Sequence, residues 1–140
     1  MSELLPELRK TENIGRSVFS GRAARRARKK GTIIPDVFLE SLEADSISVD
    51  RMDHAPRTVL AALSTQIGQN RTRPQDFHGW AVMTVEDAES NGRTVMVTPN
   101  DFNRFHADIF LNLSDDSERR DRQKQHANEL ATLATWWDAP

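Results

Sequence analysis

The chain of 140 residues predicts an α+β fold. The expected core is a mostly antiparallel sheet of four or five strands with helices packed on it, closed by a long C-terminal helix. Three observations carry this expectation. From Gly79 to Leu113 apolar and polar residues alternate with period two, the mark of strands whose successive side chains point to opposite faces. Within that stretch Asn91-Gly92 is the dipeptide best suited to the positive φ angles of a hairpin turn. Helical spacing before, between and after the strands supplies the covering layer. A partly closed barrel with the same strand order is the alternative.

Size and composition suit one domain over residues 1–140, with 1–15 as a loosely docked N-terminal arm. Cysteine is absent, which excludes disulfides and thiolate metal sites and suits a reducing cytosol. No apolar run approaches the roughly 20 residues that span a bilayer. The opening MSELLPELRK places acids where a secretory leader carries a basic head. A cytoplasmic protein with no membrane contact is expected.

Taken in order, Leu4, Leu5 and Leu8 form a short apolar edge, residues 11–15 read as a turn, and 16–19 as a short strand with Val18 inward. Ser20 is a helix cap, Gly31 a stop, and Ala23, Ala24 and Ala27 the inner face between them. Ile33-Ile34 is extended ahead of Pro35, and Val37, Phe38, Leu39 and Leu42 suggest one or two helical turns. Ser46–Asp50 alternates as a strand with Ile47 and Val49 inward. After Pro56, the residues Val59, Leu60, Leu63 and Ile67 recur at helical spacing. The strand meander of 79–113 follows. Residues 114–137 read as one helix capped by Asp115 with Glu118 in the capping-box position. Its polar first half is expected to project, and its second half, from Ala127 to Trp137, to pack.

Charge is distributed unevenly. Residues 1–30 hold nine Lys or Arg against three Glu, whereas the rest of the chain holds ten bases against eighteen acids. Such a layout suits either a basic arm for an acidic partner or internal pairing. Arg22, Arg25, Arg26, Arg28, Lys29 and Lys30 stand within nine residues and match the charge density that neutralises phosphates. A plain solvated helix face, with Lys29 and Lys30 favoured by the helix dipole, is the simpler reading.

His106 and Asp108 form the second candidate site. Two residues apart on a strand, they share a face at about 7 Å, where a carboxylate can orient an imidazole for general-base work. Ser46, Ser48 and Asp50 would supply a facing polar row if their strand lies alongside. The simpler reading is an outward face that meets water. Trp136 and Trp137 are the third candidate, since adjacent tryptophans on a helix diverge by about 100° and one of them is free to anchor a partner. His54, His78, His106 and His126 lack metal-ligand spacing, and no glycine-rich phosphate loop is present, so no metal or cofactor is expected.

The order ISVDRM (47–52), FHGWAVMTV (77–85), FHADIFL (105–111) and the closing ERR…HANELATLATW segment resembles that of small uncharacterised bacterial cytoplasmic proteins. The resemblance covers most of the chain from Gly31 onward and implies a compact domain. It carries no activity or site residues.

The favoured expectation is therefore a non-catalytic interaction module. Its basic helix 20–30 would meet a polyanion, nucleic acid included, or an acidic partner, and its C-terminal helix a protein. The alternative is a small transferase or hydrolase acting on a nucleotide-like substrate through His106 and Asp108. A pocket holding those two with a third polar group would favour the enzyme, and an open face the module. Oligomeric state is not legible.

Overall fold

In the computed structural model, which describes residues 4–140, the alternating segments form one open antiparallel sheet of six strands in the order β4-β5-β2-β1-β3-β6. The strands are β1 (Asn13–Val18), β2 (Ser46–Arg51), β3 (Gly79–Thr84), β4 (Thr94–Val97), β5 (His106–Phe110) and β6 (Thr135–Asp138). The helices are α1 (Gly21–Lys30), α2 (Arg57–Gln69), the single turn α3 (Val85–Ala88) and α4 (Arg119–Leu133). The α+β class stands, but the strand number exceeds the expected four or five. β4 and β6 end the sheet on opposite sides, so it does not close into a barrel.

One face of the sheet carries the main core. Ile14 and Val18 of β1, Ile47 and Val49 of β2, Ala81 and Met83 of β3, and Ala107 and Ile109 of β5 meet the alanine face of α1 and the Ala127–Leu130–Ala131 face of α4. α1 forms as its sequence reads. The Ser20 hydroxyl accepts from the Ala23 N–H at 3.1 Å, and Gly31 at φ 68° donates its N–H to the Ala27 carbonyl at 2.8 Å. The opposite face is only half covered. α2 sets Leu60 against Trp80, Val82 and Met52, while the polar row on β2 and β5 stays outside that layer.

Four expectations are corrected. β1 begins inside the turn expected at 11–15, because Asn13 is held by Asp53 (2.8 Å to its N–H) and β1 from Asn13 to Val18 pairs along the whole of β3. Asn91 and Gly92 do take positive φ, 57° and 81°, but in a tight 3-10 turn after α3 rather than in a hairpin. The strands they separate, β3 and β4, are not neighbours; the hairpin is β4–β5. On α2 the buried line is Leu60, Ser64 and Gly68, with Val59 and Ile67 exposed.

The C-terminal helix is the fourth. It runs only from Arg119 to Leu133, and Glu118, rather than Asp115, takes the N-cap position without a side-chain cap bond. Its polar start does not project. Arg119 and Gln123 are buried, and they donate to the carbonyls of Leu42 and Ala44, Gln123 also to Ser41, while Arg120 donates to Glu40 O. A polar surface is thus spent on the carbonyls of a loop. Trp136 and Trp137 lie on β6, so they point to opposite sheet faces.

Candidate functional site

β1 and β2 pair only at Ile14↔Arg51 and Gly15↔Asp50. Beyond that point β1 continues along β3 and β2 along β5, so the two central strands part. The Arg16 guanidinium reaches across the gap. It donates to Ser48 O at 3.0 Å and Val37 O at 3.3 Å and forms an ion pair with Glu40. The gap opens as a cleft of about 380 Å³, within the range of small-ligand sites, with Arg16 and Glu40 on its lining. Its floor includes Ser17, Asp50, Asn103 and His106, and its walls include Ile67, Arg71 and Phe102.

Asp50 sits at the apex of the split and is buried. Asn103 Nδ2 donates to its Oδ1 at 2.7 Å, and Asn103 is itself oriented because its Oδ1 accepts from Phe105 N–H at 2.9 Å. Ser17 also hydrogen-bonds the carboxyl, and the Ser17 and Ser64 hydroxyls are 2.7 Å apart, so a polar chain runs from α2 to Asp50. Burial pushes the Asp50 carboxyl above its ordinary value; the bonds from Asn103 and Ser17 and the charges of His106 and Arg16 oppose this only in part.

Asp50 faces His106 across the β2–β5 pair, and Ser48 faces Asp108. The polar row expected from sequence is therefore assembled. Because Arg51 N–H bonds Phe105 O at 2.8 Å, the Asp50–His106 pair falls at a non-hydrogen-bonded position, where facing side chains come closer. The His106 Nδ1 lies 3.1 Å from the Thr98 carbonyl, which only accepts, so this network assigns the ring hydrogen to Nδ1 and leaves the Nε2 lone pair free in the neutral ring.

His106 and Asp108 do share a face, but Thr98 stands between them. Its hydroxyl contacts His106 Nδ1 at 2.9 Å and donates to Asp108 Oδ2 at 2.8 Å, while the ring and carboxylate remain 3.9 Å apart. His106 lines the cleft and Asp108 does not. Asn103, Phe102 and Ser17 were missed as site residues, and no local pattern marks them. Asp50 was legible only as a member of the polar row facing His106.

The second candidate surface is the outer side of α1. Arg22, Arg25, Arg26, Lys29 and Lys30 are exposed and make no ion pair among the described residues. They line a shallow depression together with Ile34. Arg28 turns the other way. Its Nε bonds Asp138 at 2.8 Å and its guanidinium lies 5.7 Å from the Trp136 ring. Trp137 is similarly covered by Arg57 at 4.0 Å. Both tryptophans are half-buried under arginines of their own chain, and the outer face of α4 (Asp121, Lys124, Gln125, Asn128) presents no apolar anchor.

A larger depression, about 760 Å³, opens between residues 42–45 and 113–120. Its walls are exposed loop acids with Arg119 and Arg120, both already engaged by that same loop. Among the described residues no group of three or more His, Asp or Glu is placed to hold a metal ion. No described helix is long and apolar enough to cross a membrane. Neither the family models nor the curated proteins nor the solved structures contain a match to this chain.

Proposed function

We propose that this protein is a binding module that engages a polyanion through the outer face of α1. The observation that carries the reading is the clustering of five exposed, carboxylate-free cations on one helix face. Arg16, Arg51, Arg93, Arg119 and Arg122 each meet a carboxylate, whereas five neighbouring cations on α1 meet none among the described residues. Arg22–Arg26, Arg25–Lys29 and Arg26–Lys30 are like-charged i,i+4 pairs, each costing a few tenths of a kcal/mol in an isolated helix. Among the described residues the acidic part of the chain pairs with α1 only at Arg28, which belongs to none of these like-charged pairs. An external polyanion would offset the repulsion among the five that make up these pairs. The enzyme reading built on His106 and Asp108 has weaker support, since Thr98 intervenes and the carboxylate stands outside the cleft.

The test is the triple variant Arg22→Gln, Arg26→Gln, Lys29→Gln, assayed for binding to heparin and oligonucleotides across a salt series. Weaker binding and a shallower salt dependence are expected, with each lost phosphate contact removing roughly 0.7–0.9 from the logarithmic slope on nucleic acid. The melting temperature should stay level or rise slightly. Binding equal to that of the parent, at every salt concentration, overturns the proposal.

A further inference from the structure

The α1 depression and the cleft belong to one surface path. A groove past Phe19 and Ser20 shares Arg22 and Ile34 with the depression, and it shares Arg16, Ser17, Phe19 and Arg71 with the cleft. A polyanion following that path leaves a band of cations and reaches a recess of a different chemistry. The recess holds a buried carboxyl, an imidazole with a free Nε2, and two apolar side chains that remain open: Phe102 is 44% exposed and Ile67 38%. Arg71 stacks on Phe19 at 4.2 Å and keeps a positive charge at the mouth.

From this juxtaposition we infer that the polyanion is a single-stranded nucleic acid, one of whose bases enters the split between β1 and β2, stacks on Phe102 and presents an amino-bearing edge to Asp50 and His106. The inference rests on the polyanion reading of α1. Its chemistry is specific to an unpaired base. Heparin-like chains have no flat ring to stack, and in a duplex the base edges are paired and the faces already stacked. Asp50 and the His106 Nε2 are acceptors, so they match the exocyclic amine of cytosine or adenine better than the carbonyl at the same place in thymine. Phosphates on either side of the captured base would fall toward Arg71 and Arg22. The divergence of β1 from β2 makes the recess, and α2 packs closely beside Phe19 at its rim, where a Cβ added at Gly68 would strike the Gln75 carbonyl and the Phe19 ring.

The experiment is fluorescence anisotropy with labelled oligo(dC) and oligo(dT) of equal length, a duplex of the same phosphate number, and heparin as the unstructured control. The parent should bind single strands more tightly than the duplex and oligo(dC) more tightly than oligo(dT). Phe102→Ala, at an exposed loop position, should weaken single-strand binding by about tenfold or more while leaving heparin binding unchanged. Asp50→Asn, which turns an acceptor into a group that can also donate, should diminish or reverse the preference for oligo(dC). Heparin binding by a parent whose Phe102→Ala variant holds single strands equally well overturns base capture and leaves the α1 reading standing. No binding of heparin or any oligonucleotide by the parent removes the α1 reading, and this inference with it.

Discussion

Arg51 and Glu12 meet in a bidentate ion pair, Nε to Oε2 at 2.7 Å and Nη2 to Oε1 at 2.9 Å, with both side chains buried. The pair fastens the segment before β1 to the central sheet. Arg51 Nη2 also donates to Pro6 O at 2.7 Å, His54 Nε2 lies 3.1 Å from Glu12 Oε1, and the Glu12 carbonyl accepts from Val85 N–H at 2.9 Å. Replacing Glu12 by Ala strands a buried guanidinium, for which a loss of about 3–5 kcal/mol in unfolding free energy is expected. Replacing the two together by Leu and Met should restore much of it. Chemical denaturation of the single and double variants checks both, and a single variant as stable as the parent contradicts this account.

The same pair has a pH signature. Burial raises the Glu12 carboxyl, but the bonds and charges of Arg51 and His54 together outweigh it and hold the group below its ordinary value. A carboxylate depressed in the folded state contributes stability that is fully present above its unfolded pKa and is lost as pH falls through the folded one. Parent stability should therefore decline below about pH 4.3 with a component that Glu12→Ala lacks.

Asp50 works in the opposite sense. Its folded value is raised by burial, so its contribution is fully present below the ordinary aspartate pKa and is lost as pH rises through the folded value. Asp50→Asn keeps the acceptor for Asn103 and removes that titration. The variant should gain on the parent as pH rises from about 4 toward neutrality, read as the difference between two melting curves at each pH. Parallel curves would show that Asp50 is not desolvated.

Arg28 and Arg22 sit on the same helix but have different expected fates. Arg28→Gln removes the bond to Asp138 and the cation over Trp136, so tryptophan emission should shift to the red and the amides of β6 should exchange faster. Arg22→Gln should change neither, while weakening polyanion binding. Equal optical effects from both would mean that Arg28 is not the residue tying α1 to β6.

Gly79 opens β3 at φ 154°, and a Cβ there would meet the Trp137 carbonyl and the Trp136 ring, 2.7 Å from its Cζ2. Gly79→Ala should push β6 off the edge of the sheet and cost roughly 1–3 kcal/mol. Denaturation measurements together with amide exchange at Trp136 check this. Loss of stability without faster exchange there would place the damage elsewhere.

Local chemistry alone determined a good deal of this protein. The caps of α1, the inward Ile47 and Val49 of β2, and the period-two faces of β3 and β5 follow from side-chain direction and cap bonds within a few residues, and each is found as read. The polar row of Ser46, Ser48 and Asp50 opposite His106 and Asp108 was also legible, given only that β2 lies beside β5. The positive φ of Asn91 and Gly92 was correct too, as a property of those two residues.

Tertiary structure decided what those two residues do not control. Whether a turn joins neighbouring strands depends on which apolar faces are buried together, and Asn91-Gly92 connects strands with three others between them. A polar helix surface is suited to water or to protein carbonyls alike, and the carbonyls of residues 40–45 take its donors from Arg119, Arg120 and Gln123. Trp136 and Trp137 carry a weak strand preference that the helical pattern before them masks; the open edge of β3 makes them a strand. The cleft is the furthest from any local rule. Ser17, Asp50, Phe102 and His106 come from separate segments, and they meet because β1 and β2 have different partners beyond their first two pairs. Side-chain direction is a local property that sequence carries, whereas the parting of two strands is settled by competition among all six for neighbours.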